Sequence, residues 1–209
     1  MHRLLTLALI SSASFLAAAP FAFEPNRGQS PTQAKWIARG PSYDLLLTDE
    51  GLTMMIHDGK SRTRSSAVRM KLEGSRPWKT LTGLEPTGGQ AHTPRYAKVR
   101  AAGVYDGIDL VFHDHDGNLE YDFVVAPGAD PSNILLAFEG LQRMRIDNQS
   151  GELILTTWGG SELRHACPKV YQQIGEKRVE IAGGYELLNS NRAAFTLARY
   201  DSRYPLAIY

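Results

Sequence analysis

Four side chains on one short stretch have the types and spacing that suit metal or acid–base chemistry: His113, His115, Glu120 and Asp122. Residues at alternate strand positions share one face of a sheet, and imidazole with carboxylate is a common ligand set for divalent metals. His113 with Glu120 would also suit an acid–base pair. The competing interpretation is the outer face of an antiparallel hairpin, where charged side chains meet water.

The register of that hairpin follows from its turn. Asp116–Gly117 predicts a two-residue type I′ turn, which places His113 opposite Glu120. Farther from the turn the facing residues are all apolar: Phe112 with Tyr121, Leu110 with Phe123, and Ile108 with Val125. One face therefore packs on the core, and the opposite face carries Asp109, His113, His115, Glu120 and Asp122.

Other candidate chemistry is weaker. The segment 114–120 resembles a calcium loop, but its glycine is fourth where an EF-hand needs it sixth. Trp36, Trp78 and Trp158 could form a carbohydrate-stacking platform, although aromatic residues of β proteins usually pack in the core. Cys167 has no base or cation beside it in sequence, which predicts a buried small hydrophobe in a strand. We therefore expect no catalytic residues and no cofactor.

The elements that position these residues are short runs of alternating apolar and polar residues, separated by turn residues about every ten positions. This rhythm predicts an all-β protein, an antiparallel sandwich or meander, with two β lobes as an alternative. The segment from Gly83 to Pro94 has the loosest composition and predicts a soft lobe boundary near 83–94. The predicted strands are Lys35–Arg39, Tyr43–Thr48, Leu52–His57, Val68–Glu73, Tyr96–Val104, Leu119–Phe123, Ile134–Phe138, Leu153–Thr156, Lys169–Ile174, Arg178–Leu188 and Ala193–Arg199.

Residues 1–22 predict a secretory signal peptide. A short positive start ends at Arg3, an apolar run follows, and cleavage is expected between Ala18 and Phe23. The apolar run is too short to span a membrane comfortably, so no transmembrane anchor is expected after cleavage. The chain has 23 Lys+Arg and 22 Asp+Glu, and Arg3 lies in the leader. Zero formal charge on the remainder gives no field that would gather nucleic acid.

The order of several motifs after the leader resembles the N-terminal domain of bacterial SBBP-repeat proteins, which are secreted β-propeller proteins. The similarity begins at residues 23–29 (Phe-Glu-Pro-Asn-Arg-Gly-Gln), continues through 38–43 and 104–110, and is closest at 119–131. It ends with Pro168–Gln172 and the segment from Tyr200 to Ile208. The resemblance therefore covers nearly all of residues 23–209.

The resemblance implies an extracellular β-rich domain that precedes propeller repeats and has no established catalytic residues. Two departures matter: the region of Gly88 to Pro94 is shortened, and the sequence stops at Tyr209, where relatives continue into the propeller. We expect a non-catalytic secreted or cell-surface module, structural or adhesive, with a β-propeller domain or an envelope component as partner. The alternatives are a carbohydrate-binding module that uses exposed tryptophan, and a metal-dependent hydrolase on the 109–122 hairpin.

Overall fold

The computed structural model describes residues 21–30, 33–40, 42–57, 64–90 and 93–209. The predicted leader up to residue 20 and the predicted Asp58–Gly59 turn lie outside these residues. Strands of the N-terminal half are β1 (Phe23–Pro25), β2 (Trp36–Arg39), β3 (Tyr43–Leu47), β4 (Leu52–His57), β5 (Arg64–Leu72), β6 (Leu81–Gln90), β7 (Thr93–Tyr105), β8 (Ile108–His115) and β9 (Asn118–Val125).

Nine further strands follow a single 3₁₀ turn at Pro131–Asn133, which is the only helical structure in the described ranges. They are β10 (Leu135–Glu139), β11 (Leu141–Ile146), β12 (Leu153–Thr157), β13 (Glu162–His165), β14 (Val170–Ile174), β15 (Lys177–Ile181), β16 (Gly183–Leu187), β17 (Arg192–Leu197) and β18 (Leu206–Ile208). The prediction of an all-β antiparallel protein is confirmed. Across the described ranges no helix has the length and apolar character to span a membrane.

Fifteen strands form one large antiparallel sheet, and β11, β12 and β13 form a second sheet. The order in the large sheet is β15-β14-β18-β9-β8-β7-β1-β2-β3-β4-β5-β10-β17-β16, and β6 pairs with β7 beside this path. The two ends of the order are neighbours in sequence, because only Ala182 separates β15 from β16. The chain itself therefore links the two ends of a nearly closed sheet.

The core is one contiguous cluster that draws residues from both halves of the chain. Phe23, Leu47 and Trp78 are fully buried in the N-terminal half, and Val170 is fully buried in the C-terminal half. Alternation explains this arrangement, since every second residue of a strand points to the same face. Burial of large apolar side chains contributes about 1.5–3 kcal/mol each, so this shared core is the main stabilising term.

The three-stranded sheet packs its apolar side chains into the same core. Leu153 and Leu155 of β12 are fully buried and belong to the cluster that also contains Val68 of β5. A hydroxyl pair links the two sheets, with Ser66 Oγ 3.4 Å from Thr157 Oγ1. The small sheet therefore covers part of the large sheet and has no separate hydrophobic core of its own.

The segment predicted as the loosest part of the chain is a strand. Residues 81–90 form β6, which pairs with β7 from Leu81↔Ala101 to Gln90↔Thr93. A shift of register between Pro86 and Gly88 accommodates the turn-forming residues that suggested a linker. The described residues on both sides of this segment therefore pair with each other within the large sheet.

Strand lengths also differ from the predictions in places. The predicted run 178–188 is two strands, since the chain bends at Ala182. Five strands had no counterpart in the predictions: β1, β6, β11, β13 and β18. Three of them, β1, β13 and β18, have only three or four residues, too few for alternation to be read.

The opening motif of the resemblance has a structural explanation. Asn26 organises the loop after β1: its Nδ2 donates to the Ala34 carbonyl at 2.8 Å, and its Oδ1 accepts from the Gly28 and Ser30 amides. Gln29 Nε2 closes the loop by donating to the Pro25 carbonyl at 2.9 Å. An asparagine side chain that satisfies several backbone groups at once is typical of a fixed turn.

Candidate functional site

The predicted hairpin is formed by β8 and β9, and its register is confirmed. The pairs run from His115↔Asn118 at the turn, through His113↔Glu120, to Ile108↔Val125 at the far end. Asp116 and Gly117 both have positive φ, at 51° and 80°, as a type I′ turn requires. Twist and pairing therefore place the inner face in the core and the outer face toward solvent.

The outer face brings two of the four candidate residues into contact. His113 Nε2 lies 3.0 Å from Asp122 Oδ1, and each side chain is only 17% exposed. Asp122 is the diagonal neighbour of His113, whereas Glu120 lies directly opposite it. The predicted pair of His113 with Glu120 exists as a backbone pair, but the hydrogen bond goes to Asp122.

The other candidates do not join this pair. The His115 side chain is 67% exposed, and the carboxylate nearest to it belongs to Asp116, with 3.9 Å between Nε2 and Oδ2. Glu120 is exposed. Asp109 is committed elsewhere, because it pairs with Arg100 and accepts the Gly103 amide at 2.7 Å. The described part of the chain contains no group of three or more His, Cys, Asp or Glu that could hold a metal ion.

Electrostatics of the pair favour a charged imidazole. The hydrogen bond that His113 donates to Asp122 raises the pKa of His113, burial opposes the rise, and the charges of Asp122 and Glu120 add to it. A histidine that holds its proton beside a carboxylate is a poor metal ligand, since metals bind the neutral ring. While His113 is protonated, it forms an ion pair with Asp122 within the β8–β9 pair.

The residues that suggested a calcium loop have a backbone role. Asp114 Oδ2 accepts the Gly117 amide at 3.3 Å and so holds the turn. Its other oxygen is 3.4 Å from the Phe21 amide. The turn is further tied to β3, because the Tyr43 hydroxyl accepts the Leu119 amide at 2.8 Å. Together these bonds fix the tip of the hairpin against the N-terminal strands.

The three tryptophans do not converge on one surface. Trp36 is 8% exposed and Trp78 is fully buried, and both are members of the core. Trp158 lies in the turn between β12 and β13 and is 74% exposed. A platform of three stacked rings is therefore absent from the described residues, and Trp158 alone is available to a ligand.

Cys167 differs from its prediction in two respects. It lies in the connection between β13 and β14, outside any strand, and it is half-buried. Its Sγ is 3.9 Å from the Gly183 carbonyl at the start of β16. The thiol therefore packs where β14 and β16 approach each other, close to the linked ends of the large sheet.

One polar pair inside the molecule had no signal in the sequence analysis. Tyr121 Oη lies 2.9 Å from His165 Nδ1 and joins β9 of the large sheet to β13 of the small sheet. Tyr121 was assigned to the apolar face of the hairpin, where it does lie, and β13 was not predicted. Leu163 and His165 are both turned inward at alternate positions, and this alternation could have indicated strand β13.

The two best-formed surface depressions of the described residues are open grooves. One, of about 440 Å³, is lined by Lys71, Glu73, Glu139 and Arg192 among others, and these four are already joined in two ion pairs. The other, of about 530 Å³, lies between β15 and the segment 199–203. Neither groove contains the residues of the hairpin's outer face.

Comparison with known proteins gives one match. A family model described as a domain of unknown function, DUF7948, matches residues 23–208. No curated protein and no solved structure is significantly similar to the chain. Since the match spans nearly all of the described strands, the chain belongs to the DUF7948 family of domains of unknown function.

Proposed function

We propose that this chain is a non-catalytic secreted or cell-surface module with a structural or binding role. The supporting observation is the outer face of β8 and β9, where the polar side chains form an ion pair and are not grouped around a cleft. His113 and Asp122 are joined at 3.0 Å, while the His115 side chain is 67% exposed and its nearest carboxylate is that of Asp116. Hydrolytic and metal chemistry require convergent groups with a supporting shell.

The leader-like start and the order of motifs support the location and the partner. A signal peptide at 1–22 would send the domain out of the cytoplasm, to the envelope or the exterior. The resemblance to SBBP-repeat proteins favours a β-propeller domain or an envelope component as the partner.

A second candidate function is carbohydrate binding through Trp158. Its ring is 74% exposed at a hairpin tip, and a large apolar ring in water is suited to stacking on the apolar face of a sugar. Neighbouring strands supply hydrogen-bonding side chains, because Arg143 and Glu162 flank Thr156 on the same face of the small sheet.

One experiment tests the module hypothesis and separates the two candidates. The purified protein is mixed with cell-wall polysaccharide and with envelope protein fractions, and bound material is measured after sedimentation. We expect saturable retention by one fraction. Loss of polysaccharide binding in Trp158→Ala but not in the matched control Val179→Ala, a change at another exposed apolar residue, would assign the binding to Trp158. Retention by neither fraction would remove the binding half of the proposal.

A further inference from the structure

Two polar contacts join the small sheet to the large sheet among apolar ones, namely the Ser66–Thr157 hydroxyl pair and the contact of Tyr121 with His165. Tyr121 Oη and His165 Nδ1 are 2.9 Å apart, and their rings meet edge to face with 5.7 Å between centroids. On the other side, the His165 ring is 5.8 Å from the ring of Phe138 in β10. His165 is therefore the residue of β13 through which the small sheet contacts two strands of the large sheet.

We propose that the Tyr121–His165 pair is an acid-operated latch, which releases the three-stranded sheet from the large sheet when the surroundings become acidic. The inference is independent of the proposed function, because it rests on the contact between the two sheets. It concerns a buried imidazole that the ion pair on the outer face does not involve.

Burial is the only cause of the shift in the pKa of His165, so no charged group among the described residues offsets the cost of protonating it. Phe138 faces it from β10, and Leu153, its backbone partner in β12, is fully buried. The titratable group in contact with it is Tyr121, and Tyr185 of β16 in turn acts on Tyr121. Burial is the first cause of a raised pKa in both tyrosines, so both are neutral over the acid range.

Burial alone lowers the pKa of His165 from 6.5 to about 4. His165 is half-buried, and its ring lies against the rings of Tyr121 and Phe138. A protonated ring could still donate to Tyr121 Oη, yet it would carry its charge into an apolar environment. The cost of that charge, more than the loss of the hydrogen bond, drives the release.

The lowered pKa of His165 sets the direction in which pH shifts the equilibrium between the closed and the open sheets. The neutral ring favours the closed arrangement fully above pH 6.5, and this preference is lost as the pH falls from 6.5 toward about 4. At the acid end the equilibrium between open and closed sheets shifts by about 300-fold, the ratio that corresponds to this difference in pKa. His113 responds to acid in the opposite direction, because its pKa is raised.

Hydrogen exchange followed by mass spectrometry tests the latch on the whole protein. After correction for the intrinsic pH dependence of exchange, we expect β11, β12 and β13 to lose protection by about 60-fold between pH 7 and pH 4.5. The β8–β9 hairpin should keep its protection over the same range. His165→Gln, which is neutral at every pH, should abolish this selective loss, whereas Tyr121→Phe should lower protection at both pH values and keep the pH dependence.

The control variant is His113→Gln, which removes the other histidine of the hairpin region and should leave the acid-dependent release unchanged. Unchanged protection of the small sheet in acid, or the same loss in His165→Gln as in the natural protein, would overturn the proposal. If His165→Gln does not fold, the ring resonance of His165 is titrated by NMR in the natural protein. A pKa near 6.5 while the sheet stays protected would also overturn it.

Discussion

Two histidines of this chain lie in opposite electrostatic surroundings. His113 is on the outer face of the large sheet, beside the Asp122 carboxylate, and its pKa is raised. His165 is enclosed between aromatic rings, and burial lowers its pKa to about 4. The same side chain therefore supports the sheet as a cation in one place and as a neutral ring in the other.

Asp122→Asn should destabilise the protein in a pH-dependent way. Because the folded pKa of His113 is raised, the pair contributes fully below pH 6.5, and the contribution declines as the pH rises through the folded pKa. We expect a loss of about 0.5–1.5 kcal/mol in the free energy of unfolding at pH 6 and a smaller loss at pH 9. Urea unfolding at the two pH values measures the difference.

The matched control is Glu120→Gln on the same face, whose carboxylate lies opposite His113 and acts on it only by its charge. Its cost at pH 6 should be less than half that of Asp122→Asn. Equal costs for the two variants, or a cost of Asp122→Asn that grows with pH, would contradict the ion-pair assignment.

At this scale the sequence predicts which face a residue occupies but not its partner. The turn fixed the register, and the register placed His113 and Asp122 on the outer face, as found. The choice of Asp122 over Glu120 depends on strand twist and rotamers, which spacing does not contain. His165 shows the other gap: its contact with Tyr121 spans 44 positions, and no local pattern reports a contact so distant.

Among the elements, the corner between the two sheets restricts the residue type most strongly. Gly140 lies between β10 and β11, where the chain leaves the large sheet, and has a φ of 85°. A Cβ at this position would come within 2.1 Å of the Ala67 carbonyl oxygen of β5. Both the conformation and the close approach therefore require glycine.

Gly140→Ala should cost roughly 3 kcal/mol or more in the free energy of unfolding, since backbone strain and a clash with the Ala67 carbonyl add together. Gly160→Ala separates the two effects. Gly160 has nearly the same φ, 82°, and no atom within 4 Å of a Cβ, so its cost should be about 1 kcal/mol. Thermal unfolding of both variants gives the comparison, and similar costs would show that Gly140 is not constrained by β5.

Strand prediction succeeded where alternation was long and failed where strands were short or rich in turn residues. Leu52–His57 was predicted with the bounds it has, and β8 with β9 had the right register. β6 was taken for a loose segment, because Pro86 and its neighbouring glycines normally end a strand. Pairing with the thirteen residues of β7 overrides that local preference, and a register shift absorbs the disruption.

For the whole molecule, the strand order explains how so many short strands make one structure. The last residues before Ala182 pair with β14, the first residues after it pair with β17, and so the chain joins the two ends of the large sheet. The Tyr43 hydroxyl adds a further bond from β3 to the tip of the hairpin. Neither feature could be predicted from the sequence, because strand order depends on contacts between distant segments.

The proposed non-catalytic function requires that the polar face of β8 and β9 is a stabilising surface and not a reaction centre. Native mass spectrometry of the purified protein, with Zn²⁺ or Ca²⁺ added up to tenfold excess, tests this most directly. We expect no saturable one-to-one metal complex, and the same spectra for the natural protein and for His113→Asn. A single ion that binds each chain and is lost in His113→Asn would contradict the proposed function.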